Sequence, residues 1–169
     1  MKKKICLVAA VGLLLVCGCS SEVSTGGNQD GADADDSTVN TDVDIDEAAT
    51  KMLDELTFED TLSELADDTA LAYYGIEADD VADSVVMVST GATAEEIAIF
   101  EATDSSTAEE IKEACEARKE KQITSYNDYK PSEVNRLEDA IIDVYGSYVV
   151  YCVVDDTDKA EEILDTYFK

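Results

Sequence analysis

The feature that most limits how this chain can fold is an ungapped internal repeat. Asp104-Ser105-Ser106-Thr107-Ala108-Glu109-Glu110-Ile111 aligns on Asp156-Thr157-Asp158-Lys159-Ala160-Glu161-Glu162-Ile163, and the apolar run before each aligns with it, Ile97 to Phe100 on Val149 to Cys152. A short apolar run, an acidic cap and an amphipathic stretch read as strand, turn and helix. Two such units imply an α+β domain rather than a helical bundle or an all-β sandwich.

Each of these strands has an apolar neighbour within hairpin reach. Val85-Val86-Met87-Val88 precedes the Ile97 strand across a loop over 89–95. Ala140 to Tyr145, Gly146-Ser147 and Tyr148 to Val154 form the clearest hairpin, because Gly at the first of two loop positions suits a type II′ turn. That loop sets Tyr145 opposite Tyr148, Val144 opposite Val149, Asp143 opposite Val150, Ile142 opposite Tyr151 and Ile141 opposite Cys152. One face, carrying Ala140, Ile142, Val144, Val149, Tyr151 and Val153, is then wholly apolar and belongs under the helices. The other is mixed, with Ile141, Asp143, Tyr145, Tyr148, Val150 and Cys152, and the repeat alignment adds Phe100 to it.

The expected fold is a four-stranded antiparallel sheet from a duplicated ββα unit, its helices on one face, preceded by an N-terminal helical segment. If that segment lies on the mixed face, the domain is a closed three-layer sandwich. If it does not, Phe100, Asp143, Tyr145 and Tyr148 form an exposed patch suited to a partner.

Ile45, Ala48, Ala49, Met52, Leu53 and Leu56 predict a first helix over 46–56, with Asp44 and Glu47 as a capping box. Asp67 or Asp68 caps a short helix that Gly75 stops in a left-handed conformation. The long helix starts near Ser106 and ends before Lys130, which Pro131 pushes out of the helical region. Its inward stripe is Ala108, Ile111, Cys115, Arg118, Gln122 and Tyr126, so two polar residues stand where the helix should face the domain. Arg118, Gln122, Tyr126 and Tyr129 are the candidate pocket. In one reading Arg118 holds an anionic or carbonyl group between tyrosine walls. In the other Arg118 pairs with a partly buried acid, and Gln122 caps the turn at Tyr129-Lys130-Pro131. The last helix spans Thr157 to Phe168.

At the start of the chain, Met1-Lys2-Lys3-Lys4 and the apolar run Ile5 to Val16 have the form of an export signal, too short to span a bilayer. The run ends in Val16-Cys17-Gly18-Cys19-Ser20, which resembles a bacterial lipobox with Cys19 as the lipidated residue, since Gly18 stands before it. Residues 1–18 are thus expected to be a lipoprotein signal peptide, 19–44 a flexible, acidic linker rich in Ser, Thr and Gly, and 45–169 a single domain. A diacylglyceryl group on Cys19 suffices to hold the protein at the extracellular face of the cytoplasmic membrane. The spacing Asp42-Val43-Asp44-Ile45-Asp46 is not a calcium loop, because its sixth position is Glu47 rather than Gly and its twelfth Leu53 rather than Glu.

A formal charge of −28 sets the partners. It repels nucleic-acid phosphate, which excludes DNA and RNA, and leaves cations, cationic peptides and basic protein patches compatible. The absence of histidine excludes His-based triads and the usual zinc sites, and no Ser-x-x-Lys motif or phosphate-binding Gly loop is present. No catalytic residue, metal ligand or cofactor is therefore assigned. Cys115 points inward from the long helix and Cys152 from the opposite sheet face, so two buried thiols are expected rather than a disulfide.

Ala94-Glu95-Glu96-Ile97-Ala98-Ile99-Phe100, Arg118 with Gln122, then Tyr126, Tyr129, Pro131 and Glu133, then Gly146 and Tyr148, together resemble the DUF4358 family over about Ile45 to Phe168. The Arg-x3-Gln-x3-Tyr-x2-Tyr-x-Pro run is the most specific part; Tyr126 stands where Phe is commoner. The resemblance implies a lipoprotein of Gram-positive anaerobic bacteria related to clostridia, with no function assigned. It also implies a place beside membrane O-acyltransferases, as an accessory to envelope polymer modification. The functional expectation is a cell-surface lipoprotein acting as a non-enzymatic binding or accessory module with an envelope protein partner. The alternatives are a carboxylate-dependent envelope enzyme and a structural or inhibitory partner of a membrane protein that uses the aromatic sheet face.

Overall fold

Runs of consecutive apolar residues in the second half of the chain build the centre of an antiparallel sheet that is buried on both sides. In the computed structural model, residues 39–169 are described; the signal segment 1–18, Cys19 and most of the expected linker lie outside the described residues. The order of elements is α1 (Ile45–Glu55), β1 (Ser63–Glu64), α2 (Asp67–Tyr74), a 3-10 turn (Ala78–Asp80), β2 (Val81–Val88), β3 (Glu96–Ala102), α3 (Ser105–Tyr129), α4 (Glu133–Glu138), β4 (Ile141–Tyr145), β5 (Tyr148–Val153) and α5 (Thr157–Phe168). The sheet runs β1-β2-β3-β5-β4 with every neighbour antiparallel. The class is therefore α+β.

The local signals act where they were read. Asp44 caps α1 by accepting from the Glu47 amide, Asp104 caps α3 through the Ser106 and Thr107 amides, and Asp156 caps α5 through Lys159. Gly75 ends α2 at φ 76, with its amide and that of Ile76 both donating to the Leu71 carbonyl. Gly146 turns the β4–β5 hairpin at φ 64 and gives the five expected pairings from Tyr145 with Tyr148 to Ile141 with Cys152.

Two expectations are corrected. The sheet has five strands, not four, because Ser63 and Glu64 pair with Val88 and Met87 of β2. The helices lie on both faces, not one. α2, α3 and α4 pack on Ala98, Phe100, Val149, Tyr151 and Val153, whereas α1 and α5 pack on Ile97, Ile99, Tyr145, Tyr148, Val150 and Cys152. Aligned positions of the sequence repeat, such as Phe100 and Cys152, thus look in opposite directions. Strands β3 and β5 are central and apolar on both sides, so period-two alternation carries no information about which side faces which helix.

The candidate partner face goes with this correction. Phe100 is buried beneath α3, its ring 5.0 Å from Tyr74. Tyr145 and Tyr148 are buried against Phe168 of α5, at ring distances of 5.0 and 5.5 Å. Asp143 alone of the four is exposed, on the edge strand. The mixed face is closed, by the last helix together with the first. The chain is already docked before α1: the Asn40 amide donates to the Phe168 carbonyl at 3.0 Å, its side chain to the Tyr167 carbonyl at 2.8 Å, and the Val43 amide to the Tyr148 hydroxyl at 3.2 Å. Cys115 and Cys152 are free, buried thiols in the cores on opposite faces of the sheet, as expected.

Candidate functional site

α3 lies across the sheet with Ala108, Ile111, Cys115 and Gln122 buried and Arg118 and Tyr126 half-buried. The polar members of this stripe converge on Glu96, the first residue of β3, which is 1% exposed. Arg118 holds it as a fork, Nε donating to Oε1 at 2.8 Å and Nη2 to Oε2 at 2.6 Å. The Tyr74 hydroxyl donates to Oε1 at 2.5 Å, and Gln122 Nε2 donates to Oε2 at 2.9 Å. Gln122 Oε1 in turn accepts from the Tyr151 hydroxyl at 2.6 Å. Each carboxylate oxygen of Glu96 thus takes two hydrogen bonds, which fills its acceptor capacity. Burial alone would lower the Arg118 pKa, but its hydrogen bonds and charge pairing with Glu96 outweigh that and hold it above the ordinary value.

The Arg118 guanidinium also lies over the ring of Tyr73, 3.9 Å from its centre. Beyond it opens a cleft of about 280 Å³, lined by Tyr73, Arg118, Lys121, Ser125, Tyr126 and the loop from Ser89 to Thr93. The Tyr126 hydroxyl donates to the Thr93 carbonyl and so fixes that loop. The candidate pocket is therefore brought together in part. Arg118, Gln122 and Tyr126 share the site, but Tyr129 is 73% exposed and does not wall it. Gln122 does not cap the turn before Pro131. Lys130 does the comparable work, donating to the Ala92 carbonyl at 3.1 Å and pairing with Glu133 at 2.8 Å.

Two more buried acids, Glu95 and Glu133, lie close to Glu96; the sequence marks them only through the family resemblance and gives no sign of their burial. Glu95 accepts from the Glu59 and Asp60 amides at 2.8 and 3.0 Å and from the Thr93 hydroxyl at 2.8 Å, which ties the 59–60 turn to the start of β3. Glu133 accepts from the Ala94 amide at 3.0 Å and pairs with Lys130 and Arg136. Burial would raise its pKa, but Lys130, the Ala94 amide and Arg136 together hold it below the usual carboxylate range. Ala94-Glu95-Glu96 is thus the point where α3, α4 and the 59–60 turn are joined. A signal existed: Glu96 shares the face of Ala98 and Phe100, so an apolar strand face carries one acid opposite a helix stripe carrying one arginine.

The arrangement suits holding better than proton transfer. Burial pushes the Cys115 thiol up, and burial with the nearby Glu96 carboxylate does the same to the Tyr74 and Tyr151 phenols, so none is ionised near neutral pH. What the cleft offers a visitor is the exposed ring of Tyr73, the Lys121 ammonium and hydroxyls. No group of three or more metal-ligating side chains occurs among the described residues, and no described helix is long and apolar enough to cross a membrane.

A family model described as a domain of unknown function (DUF4358) matches residues 54–154, which include Glu96, Arg118, Gln122, Tyr126 and Glu133. The chain belongs to that family. No curated protein and no solved structure matched it.

Proposed function

We propose that the protein is a bacterial cell-surface lipoprotein, held by a lipid on Cys19 at the outer face of the cytoplasmic membrane. There it serves as a non-enzymatic binding or accessory module for an envelope protein partner. The observation that carries this reading is the commitment of the buried polar groups to one another. Glu96 has no lone pair left to accept a substrate proton, and Arg118 is neutralised by Glu96 rather than free to stabilise developing charge. The rival reading of a structural or inhibitory partner loses the aromatic face it required, since Tyr145, Tyr148 and Phe100 are buried. Service to envelope polymer modification is the narrower form of the proposal, and it rests on the family resemblance alone.

The test has two arms. Cys19→Ala should shift the protein from the membrane fraction to the medium; retention at the membrane would refute the lipid anchor. Crosslinking in native envelopes should then join the wild-type protein to one dominant partner protein, whereas turnover of an envelope polymer by the purified protein would replace the binding reading with the enzymatic one.

A further inference from the structure

With both faces of the sheet covered, the backbone that remains open is at its edge. β4 pairs with β5 on one side, and no described strand pairs with it on the other. Nor does any described backbone or side-chain group bond the outward N–H and C=O groups of 141–145. An edge of this length is a template for an added strand unless a charge or a proline blocks it, and the one charge β4 carries, Asp143, deters an acidic strand but not a basic one.

The charges around the edge are mostly negative on both faces, although Asp165 of α5 is bridged to Lys169 at 2.7 Å. Between β4 and α3 runs a groove of about 540 Å³, floored by Ala140 and Ile142 and walled by Glu113, Glu116 and Glu120. Its one cation, Lys119, is turned to the Glu138 carbonyl at 2.9 Å. On the opposite face Tyr145 donates to Asp143 at 3.3 Å. Burial first, then the Asp143 charge and its hydrogen bond, push the Tyr145 phenol up. Side chains of an added strand alternate between the two faces, so each of them would meet carboxylates.

We propose that the open edge of β4 is a strand-addition site for an extended, lysine- or arginine-rich segment of a partner protein, its alternate basic side chains reaching the carboxylates of α3 on one face and of Asp143 on the other. A second copy of this chain is a poor occupant. Antiparallel self-pairing centred on β4 sets Asp143 against Asp143 and brings together two chains of charge −28. The inference deepens the binding-module reading and rests on it, but not on the location of the protein.

The probe is an end-blocked hexapeptide, Lys-Val-Lys-Lys-Val-Lys, which presents two lysines to each face. It is compared with two versions methylated on alternate backbone nitrogens, one in each phase. The parent peptide should slow amide hydrogen exchange at 141–145, and one of the methylated versions should bind about tenfold or more weakly, having lost its pairing with β4. The triple variant Glu113→Gln, Glu116→Gln, Glu120→Gln should bind the parent peptide severalfold more weakly while its own melting temperature is not lowered. Equal binding by all three peptides would reduce the effect to general charge attraction and overturn the site, as would protection elsewhere or no binding. A partner that crosslinks in native envelopes while β4 stays unprotected would sink the edge site and leave the module reading standing.

Discussion

A carboxylate as fully buried as Glu96 is tolerable only while its partners stay in place, and this makes Arg118 the most consequential side chain on α3. The Arg118 side chain is 11% exposed and its partner 1%, so removing the guanidinium strands a charge away from water. Arg118→Ala should cost about 3–5 kcal/mol of stability, read from urea unfolding. The double change Glu96→Leu with Arg118→Met should cost clearly less than Arg118→Ala, because no charge is then left unpaired, although Tyr74 and Gln122 lose an acceptor. An unchanged unfolding midpoint in Arg118→Ala would instead return Arg118 to the role of a ligand-holding residue. The arginine and glutamine were legible in the sequence as polar intruders on an inward stripe. The acid they serve carries a fainter mark: a Glu at the start of a strand reads by default as solvent-facing, and only its place on the face of Ala98 and Phe100 sets Glu96 apart.

At the scale of elements, α3 is held by Ala108, Ile111 and Cys115 packed on the sheet, by the Arg118 and Gln122 pins to Glu96, and by the cap at its start. Asp104 accepts from the Ser106 hydroxyl and the Thr107 amide, which together depress its pKa from 3.8 to about 2. A carboxyl lowered by folding adds stability that is fully present above its unfolded value and is lost as pH falls through the folded one. The advantage of wild type over Asp104→Asn, whose amide still caps but does not titrate, should therefore shrink between pH 3.8 and about 2 and be gone below that. Urea midpoints measured across this range check it, and a pH-independent difference would reject the assignment. Which elements were readable follows the same physics. A two-residue loop with Gly146 dictated the whole β4–β5 register, and Pro131 dictated the end of α3. α4 is a single short run after that proline, with no apolar periodicity to see, and β1 is two exposed residues that exist as a strand only because β2 is beside them.

For the molecule as a whole, acidity is the term that opposes compactness. A charge of −28 concentrates like charges on folding, while the Glu96–Arg118 pair is shielded from solvent. Raising salt from about 0.01 M to about 1 M shortens the screening length from about 30 Å to about 3 Å. The melting temperature should rise over this range, and a fall would mean that surface ion pairs outweigh the repulsion. The closed sandwich was legible as an alternative, but not the division of helices between its faces. The repeat in the sequence preserves the cap and the helix, and its two strands sit one step out of phase in side-chain direction.

The fastening of Asn40 to the last turn of α5 makes the stretch before α1 a neighbour of the end of α5. A force applied to the chain ahead of Asn40 would load this clasp before any strand, and next the bonds of Thr41 and Val43 with the Tyr148 hydroxyl. A fluorophore fused after Lys169 would accordingly ride beside this clasp and report its opening rather than the unfolding of the sheet.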